Sequence, residues 1–264
     1  MTGTIPVTPW DLAVAAGLVL GLAALSWRLH LGTSAAMLVA ALRTTVQLFL
    51  VGWVLRAVFA QANPLWVGGI ACIMLAVAGR EVVARQKHRF RGLWGYGLGT
   101  GAMFTSSFSV TALALVALLE PRPWYDPRYA IPLLGMILGN TMNGVSLALD
   151  RLTSEARQRA GQIEAQLLLG RTARQAIAEI RVLSMRTGLM PMINAMAAAG
   201  VVSLPGMMTG QILAGNPPME AVKYQILIMF LITGGTGLGA LVAVWWGGRR
   251  LFDQRERLRL DRLK

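Results

Sequence analysis

The sequence predicts an all-α, polytopic integral membrane protein of about seven transmembrane helices with an amphipathic cytoplasmic loop. Three observations lead there. Of 264 residues, 55% are hydrophobic and only 14% charged, a balance that suits lipid better than water. The apolar residues gather into runs near the ~20 residues that a helix needs to cross the hydrocarbon core. The 25 Lys and Arg, which give a net charge of +13, cluster between those runs, as positive-inside loops do. A nucleic-acid partner is not expected, because basic and aromatic residues do not interleave.

Taken in order, the spans fall at roughly 10–27, 33–59, 64–79, 96–119, 130–149, 191–214 and 221–247. The segment "MTGTIPVTPWD" has no basic n-region, so the first apolar run is expected to remain as a span. Arg28 separates spans one and two, and the next connection, "QANP", has no basic residue. Span three is short and open to extension. It is followed by Arg80, Arg85, Lys87, Arg89 and Arg91. The connection "EPRPWYDPRY" is mixed in charge, whereas the 150–190 region carries seven arginines. The connection "NPPME" has none, although Lys223 follows it, and the tail "RRLFDQRERLRLDRLK" has seven basic residues. This alternation places the N-terminus outside and the C-terminus in the cytoplasm, for a protein of the cytoplasmic (inner) membrane. No long linker divides the chain. One membrane domain over 1–264 is expected, with a cytoplasmic loop at 151–190 and a basic tail at 248–264.

Several spans carry polar residues that lipid disfavours. Arg43 and Gln47 are four apart in span two and share a helix face. An arginine near the bilayer centre costs ~2.5–3.5 kcal/mol on insertion scales. Arg43 therefore either faces an interior or snorkels to the surface, and Asp150 is a candidate partner. Thr105, Ser106, Ser107, Ser109 and Thr111 in span four can bond to preceding helical carbonyls. In span five Asn140 and Asn143 either join helices or line a cavity, while Gly135 and Gly139 form a GxxxG packing pattern. The stretch "VVSLPGMMTGQILAG" sets Pro205 and Gly206 among Ser203, Thr209 and Gln211. Broken backbone at membrane depth persists only inside protein or beside a cavity. The stretch reads as a hinge or pathway, or as a kink packed through Gly206 and Gly210. Met207 and Met208 are candidate soft metal ligands or simple gap-fillers.

Cys72 is the only cysteine, which excludes a disulfide framework and a Cys-based metal site; His30 and His88 lie in basic loops as solvated residues. Residues 151–187 place Ile163, Leu167, Leu168, Ala173, Ile177, Ile180 and Leu183 at helical spacing, broken near Gly170. They form either a surface helix on anionic lipid or a docking element. "EAQLLLG", with Glu164, Ala165 and Gly170, followed by Ile180, resembles the EAA loop of ABC-importer permeases, with two departures: Gln166 replaces the second Ala, and the Pro expected soon after Ile180 comes only at Pro191. In that family two short helices on either side of the Gly sit in a groove of the ATPase. The ATPase is expected on another chain, since none of the three lysines follows a glycine as a P-loop requires.

The segments "LRTTVQLFLVGWVL", "PLLGMILGNTMNGVSLALDRL", "PMINAMAAAGVVSLPGMMTGQILAGNPPMEAVKYQI" and "RRLFDQRERL" together are similar to the FetB-type iron-export ABC permeases, relatives of a plant aluminium-tolerance half-permease. The similarity runs from about residue 38 to the end. It implies a homodimeric permease subunit that exports iron or a related metal, driven by a cytoplasmic ABC ATPase that holds the ATP, with no cofactor and no catalytic residue in this chain. Pathway residues would be Arg43, Gln47, Asn140, Asn143, Ser203, Met207, Met208 and Gln211, with Pro205 and Gly206 as hinge; the metal ligands are not fixed by spacing. The competing reading is an ATP-independent channel or secondary carrier. Such carriers often place Asp, Glu or His in mid-membrane, and this chain has none clearly there. A membrane-embedded enzyme would need a nucleophile and base within the spans, and none is seen.

Overall fold

A computed structural model describes residues 7–60 and 63–264. Part of the "QANP" connection, residues 61–62, and the N-terminal residues 1–6, whose side of the membrane was assigned above, lie outside the described residues. The chain is an all-α polytopic membrane protein, and among the described residues six helices are long and apolar enough to cross a bilayer. Among the described residues there are isolated β-bridges but no strand.

The helices begin where sequence chemistry tells them to. Helix α1 (Pro9–Arg28) opens with a capping box between Thr8 and Asp11 and a proline in its first turn. Helix α2 (Ser34–Ala60) follows a tight turn in which the Ser26 and Thr33 hydroxyls bond at 2.7 Å. Helix α3 (Pro64–Ala84) is capped by Asn63, and α6 (Pro127–Gln158) by Asp126, each followed by proline at the first helical position. Helix α3 runs five residues beyond the predicted 79, taking Arg80 and Glu81 into its last turns. The fourth span, Leu93–Leu119, joins α4 (Leu93–Met103) and α5 (Ser109–Leu113) through π-helical turns at Phe104–Phe108 and Ala114–Leu119.

Helix α6 continues to Gln158, nine residues past the predicted end of span five. Beyond it lie α7 (Ala160–Leu168) and α8 (Ala173–Ala176), separated by Gly170 at φ +82°. Helix α9 (Ala178–Ala198) starts well before the predicted 191 and carries Pro191 inside it.

Predicted span six is not one helix. Helix α9 stops at Ala198, α10 (Gly206–Leu213) is a separate short helix, and α11 (Pro218–Arg250) completes the fold. The cause is Gly200, held at φ +83° just past the helix end, a left-handed stop that L side chains resist. The Gly200 N–H donates to the Ser203 carbonyl, and the N–H groups of Val202 and Ser203 turn back to the Ala198 carbonyl. Pro205 thus does not kink a running helix. It precedes α10, where its carbonyl accepts the first helical bond, from Thr209.

The residues fall into two compact units, one built on α1 and α2 and one on the remaining helices. In the larger unit α6 is the central helix, packed by α3, α9 and α11. Small residues set its spacing. A Cβ on Gly188 would stand 2.7 Å from the Gly144 carbonyl, and one on Gly239 would stand 2.5 Å from Thr141 Cγ2. Gly247 rests on Leu149 and Leu152, so α11 runs parallel to α6 while α9 runs against both. The expected packing at Gly206 and Gly210 is absent among the described residues, and Gly139 is equally open; Gly135 meets only the end of Met74.

Candidate functional site

Two regions of the larger unit carry features beyond packing. The first lies where α10 crosses the early turns of α6 and α11. A cavity of about 250 Å³ is lined there by Arg128, Tyr129, Met136, Met207, Gln211 and Tyr224, among others. It unites Met207 and Gln211, two of the residues singled out from sequence, with Arg128, Tyr129 and Tyr224, which were not. Those three sit at helix beginnings, where charged and aromatic residues are ordinary, so sequence offered no signal.

From this cavity one face of α6 continues through Met136, Asn140, Asn143, Leu147 and Asp150, which follow one another at spacings of three and four, hence on one side of the helix. Asn140 and Asn143 are exposed. The Asn140 amide donates to the Met136 carbonyl at 2.8 Å. Asn143 Oδ1 accepts from Arg85 Nη1, and Arg85 Nε lies 3.8 Å from Glu81 on α3. Asp150, proposed from sequence as a partner for Arg43, accepts the backbone N–H of Lys87 at 2.6 Å. Met208 is half-buried beside Met207, whereas Ser203 belongs to the turn after α9, its hydroxyl 3.5 Å from the Ala198 carbonyl. Arg43 and Gln47 stand one turn apart on α2, in the other unit, and both are exposed there.

The hydroxyls of the fourth span divide. Those of Thr105 and Ser106 donate to the carbonyls of Gly101 and Ala102, at 3.0 and 2.9 Å, as expected. Ser107 and Thr111 are buried without a partner among the described residues, correcting that expectation for these two. Ser107 lies within the π turn Phe104–Phe108 and Thr111 in the α5 turn after it, where the local hydrogen-bond register departs from the α pattern.

The second region is the helical loop. Thr172 caps α8 reciprocally with Gln175, and the Glu256 carboxylate of the tail accepts the Ala173 N–H at 3.2 Å. Ile163, Ile177 and Ile180 are buried in the core, so Ile180 anchors the loop. Glu164 and Ala165 are exposed. Leu168 and Leu169, beside Gly170, are 89% and 82% exposed. Leu168 was expected on the apolar face of an amphipathic helix; the left-handed Gly170 turns the chain and leaves both leucines at the tip. Glu155, only 6% exposed, is gripped by Arg151 and Arg159 at 2.9 and 2.6 Å, which stiffens the end of α6 leading into this loop. His88 faces Arg157 at 3.3 Å rather than standing free in its loop.

Among the described residues no group of three or more His, Cys, Asp or Glu gathers as a metal site would require. Residues 9–252 match the model of an uncharacterised protein family designated UPF0014. A UPF0014 membrane protein of Synechocystis sp. is 43% identical over 241 residues, covering 90% of each chain. The Arabidopsis thaliana protein named ALUMINUM SENSITIVE 3 is 32% identical over 233 residues, covering 88% of this chain and 83% of the relative. The Escherichia coli protein named "Probable iron export permease protein FetB" is 29% identical over 222 residues, 84% of this chain and 83% of the relative. No solved structure matches.

Proposed function

The chain belongs to the UPF0014 family of membrane proteins, and from that premise we propose that it is the permease subunit of an ABC transporter, exporting iron or a related metal ion and driven by an ATPase on a separate chain. The observation that carries this reading is the loop at 160–176. Two short helices are held to the core by Ile163 and Ile177, and they present Leu168 and Leu169 to the surroundings at a left-handed glycine. Two bare leucines on a stiff support suit a protein partner, since apolar side chains at a helix end are what a hydrophobic groove buries. The name of the E. coli relative supports the export reading and the choice of iron.

In this reading the ATPase engages Glu164, Ala165 and Gly170, and movement passes through Ile180 into α9. The break at 199–205, with Pro205 and Gly206, works as the hinge. Cargo passes along the α6 face, from Asn143 and Asn140 to the cavity holding Met207 and Gln211, with Met208 and Ser203 in supporting positions; Arg43 and Gln47 on α2 are pathway candidates of their own unit. Exposed asparagines within a span are costly against lipid, so that face turns to a second copy of the chain in a homodimer. The protein sits in the cytoplasmic membrane with its N-terminus outside and its tail in the cytoplasm.

The test is ATP hydrolysis by the chain reconstituted with its co-purifying ATPase, across ferrous iron, aluminium, zinc and a metal-free control. Stimulation by iron above the control is expected. Hydrolysis indifferent to every metal removes the metal as cargo. Metal flux without any ATPase instead favours an ATP-independent channel or carrier.

A further inference from the structure

At the end of α11 the structure holds a feature that the transport reading does not use. We propose that the ends of α4 and α11 bind one anionic phospholipid, its phosphate between Arg249 and Arg250 and an acyl chain along Leu93 and Trp246.

The argument rests on two adjoining cavities of opposite character. One, of about 340 Å³, is apolar and lined by Leu93, Trp94, Gly97, Leu98 and Trp246. The other, of about 600 Å³, shares Trp94 and Trp246 and adds Arg249, Arg250 and Arg262. An apolar groove that opens through two tryptophans into an arginine pocket has the polarity of a phospholipid, tail to headgroup. Tryptophans favour the level of lipid headgroups, and basic pockets between membrane helices bind anionic headgroups.

The cations there are not neutralised from within. Arg250 lies 4.5 Å from the centre of the Trp94 ring and Arg249 3.9 Å from that of Trp245. Among the described residues neither forms an ion pair with a carboxylate. Asp253, the acid lining the pocket, is already held by Arg257 at 2.9 Å and by the N–H groups of Arg255 and Arg257. Arg262 donates through Nη1 to the carbonyls of Arg250 and Phe252, both at 2.9 Å, which fixes the tail beside the pocket and leaves its other donors. Guanidinium groups bind phosphate oxygens in paired hydrogen bonds. A free phosphate would satisfy the arginines but has no use for the groove, and Leu93 is 87% exposed without a lipid against it. The inference requires membrane insertion and is independent of the transport reading.

The experiment is native mass spectrometry of the purified full chain in detergent, with equal amounts of diacyl phosphatidylglycerol and phosphatidylcholine. One phosphatidylglycerol should be retained about tenfold over phosphatidylcholine, and R249Q/R250Q should erase that preference. The charge-matched control R171Q/R186Q should keep it. Gly97 has open space where a Cβ would stand, so Gly97→Leu fills the groove without disturbing the fold and should also lower retention. Equal retention of the two lipids overturns the proposal, as does a preference that survives R249Q/R250Q or is untouched by Gly97→Leu. Displacement of the lipid by millimolar inorganic phosphate overturns it in favour of a free-anion site. A double variant that keeps its lipid but sheds an acidic protein partner overturns it in favour of a protein interface.

Discussion

The α1–α2 pair and the bundle around α6 are both written in apolar helices, yet they are held together differently. In α2 none of the most apolar 18-residue window is buried, and in α1 11% is, against 56% in α6. The hairpin is joined at its turn by Ser26 and Thr33, and most of its side chains remain open to lipid or a partner. The bundle closes on glycines, through which backbones nearly touch. Lipid is as apolar as leucine, so hydrophobicity inserts both units but cannot choose a packing face; small residues do that.

The sharpest way to break this contrast is to add volume to a glycine in each unit. Gly188→Val, against the Gly144 carbonyl and Ala148, should destabilise the bundle by about 3 kcal/mol, because backbone cannot move aside as a side chain can. Gly21→Leu in α1 meets open space and should stay within about 0.5 kcal/mol of the parent. Thermal unfolding in detergent reads both, and equal losses would erase the distinction.

Next in size is Glu155→Ala. It removes a nearly buried carboxylate from two arginines, and should cost about 2 kcal/mol in the same assay. Gly170→Leu places a side chain at φ +82°, with a strain of about 1 kcal/mol. Its unfolding midpoint should fall only slightly, while the ATP hydrolysis it supports falls further.

The smallest effect concerns pH and the tail. The hydrogen bonds and charge of Arg259 hold Asp261 below the usual carboxylate value, at about 2. A depressed folded pKa stabilises above the unfolded value, and the benefit is lost as pH falls through the folded one. Tail docking should therefore be constant from neutral pH down to about 4 and weaken between about 4 and 2. Pepsin cleavage within 251–264, normalised at each pH to the free 251–264 peptide, reads the fall between about 4 and 2, and Asp261→Asn should flatten the profile.

Much of the fold was legible in the sequence. Pro64, Pro127 and Pro218 mark helix starts, the apolar runs locate six spans, and Gly170 marks the break between α7 and α8. What failed did so for physical reasons. Averaging hydrophobicity over 191–214 merges α9 with α10, because the turn residues Val201, Val202 and Leu204 are themselves apolar; the stop was written only in Gly200. Within the chain the GxxxG pairs at 135/139 and 206/210 meet no neighbouring backbone, while Gly235 and Gly239, spaced identically, make the close approach to α6. Spacing permits close packing but does not say which face has a partner. Of the candidate site, Met207 and Gln211 come together, but Arg128 and Tyr224 join them only through the crossing of α10, which no local pattern encodes. Leu168 shares helical spacing with Ile163, but it and Leu169 lie at the helix end beside the left-handed Gly170, where periodicity no longer assigns a face.

The central claim is that Leu168 and Leu169 bind an ATPase. The direct measurement is ATP hydrolysis co-eluting with affinity-purified full chain, parent against Leu168→Glu/Leu169→Glu, with the unfolding midpoint taken in parallel. The account predicts that co-eluting hydrolysis falls about tenfold or more while the midpoint holds, since the two side chains are exposed anchors rather than core. Undiminished hydrolysis in the double variant would contradict it.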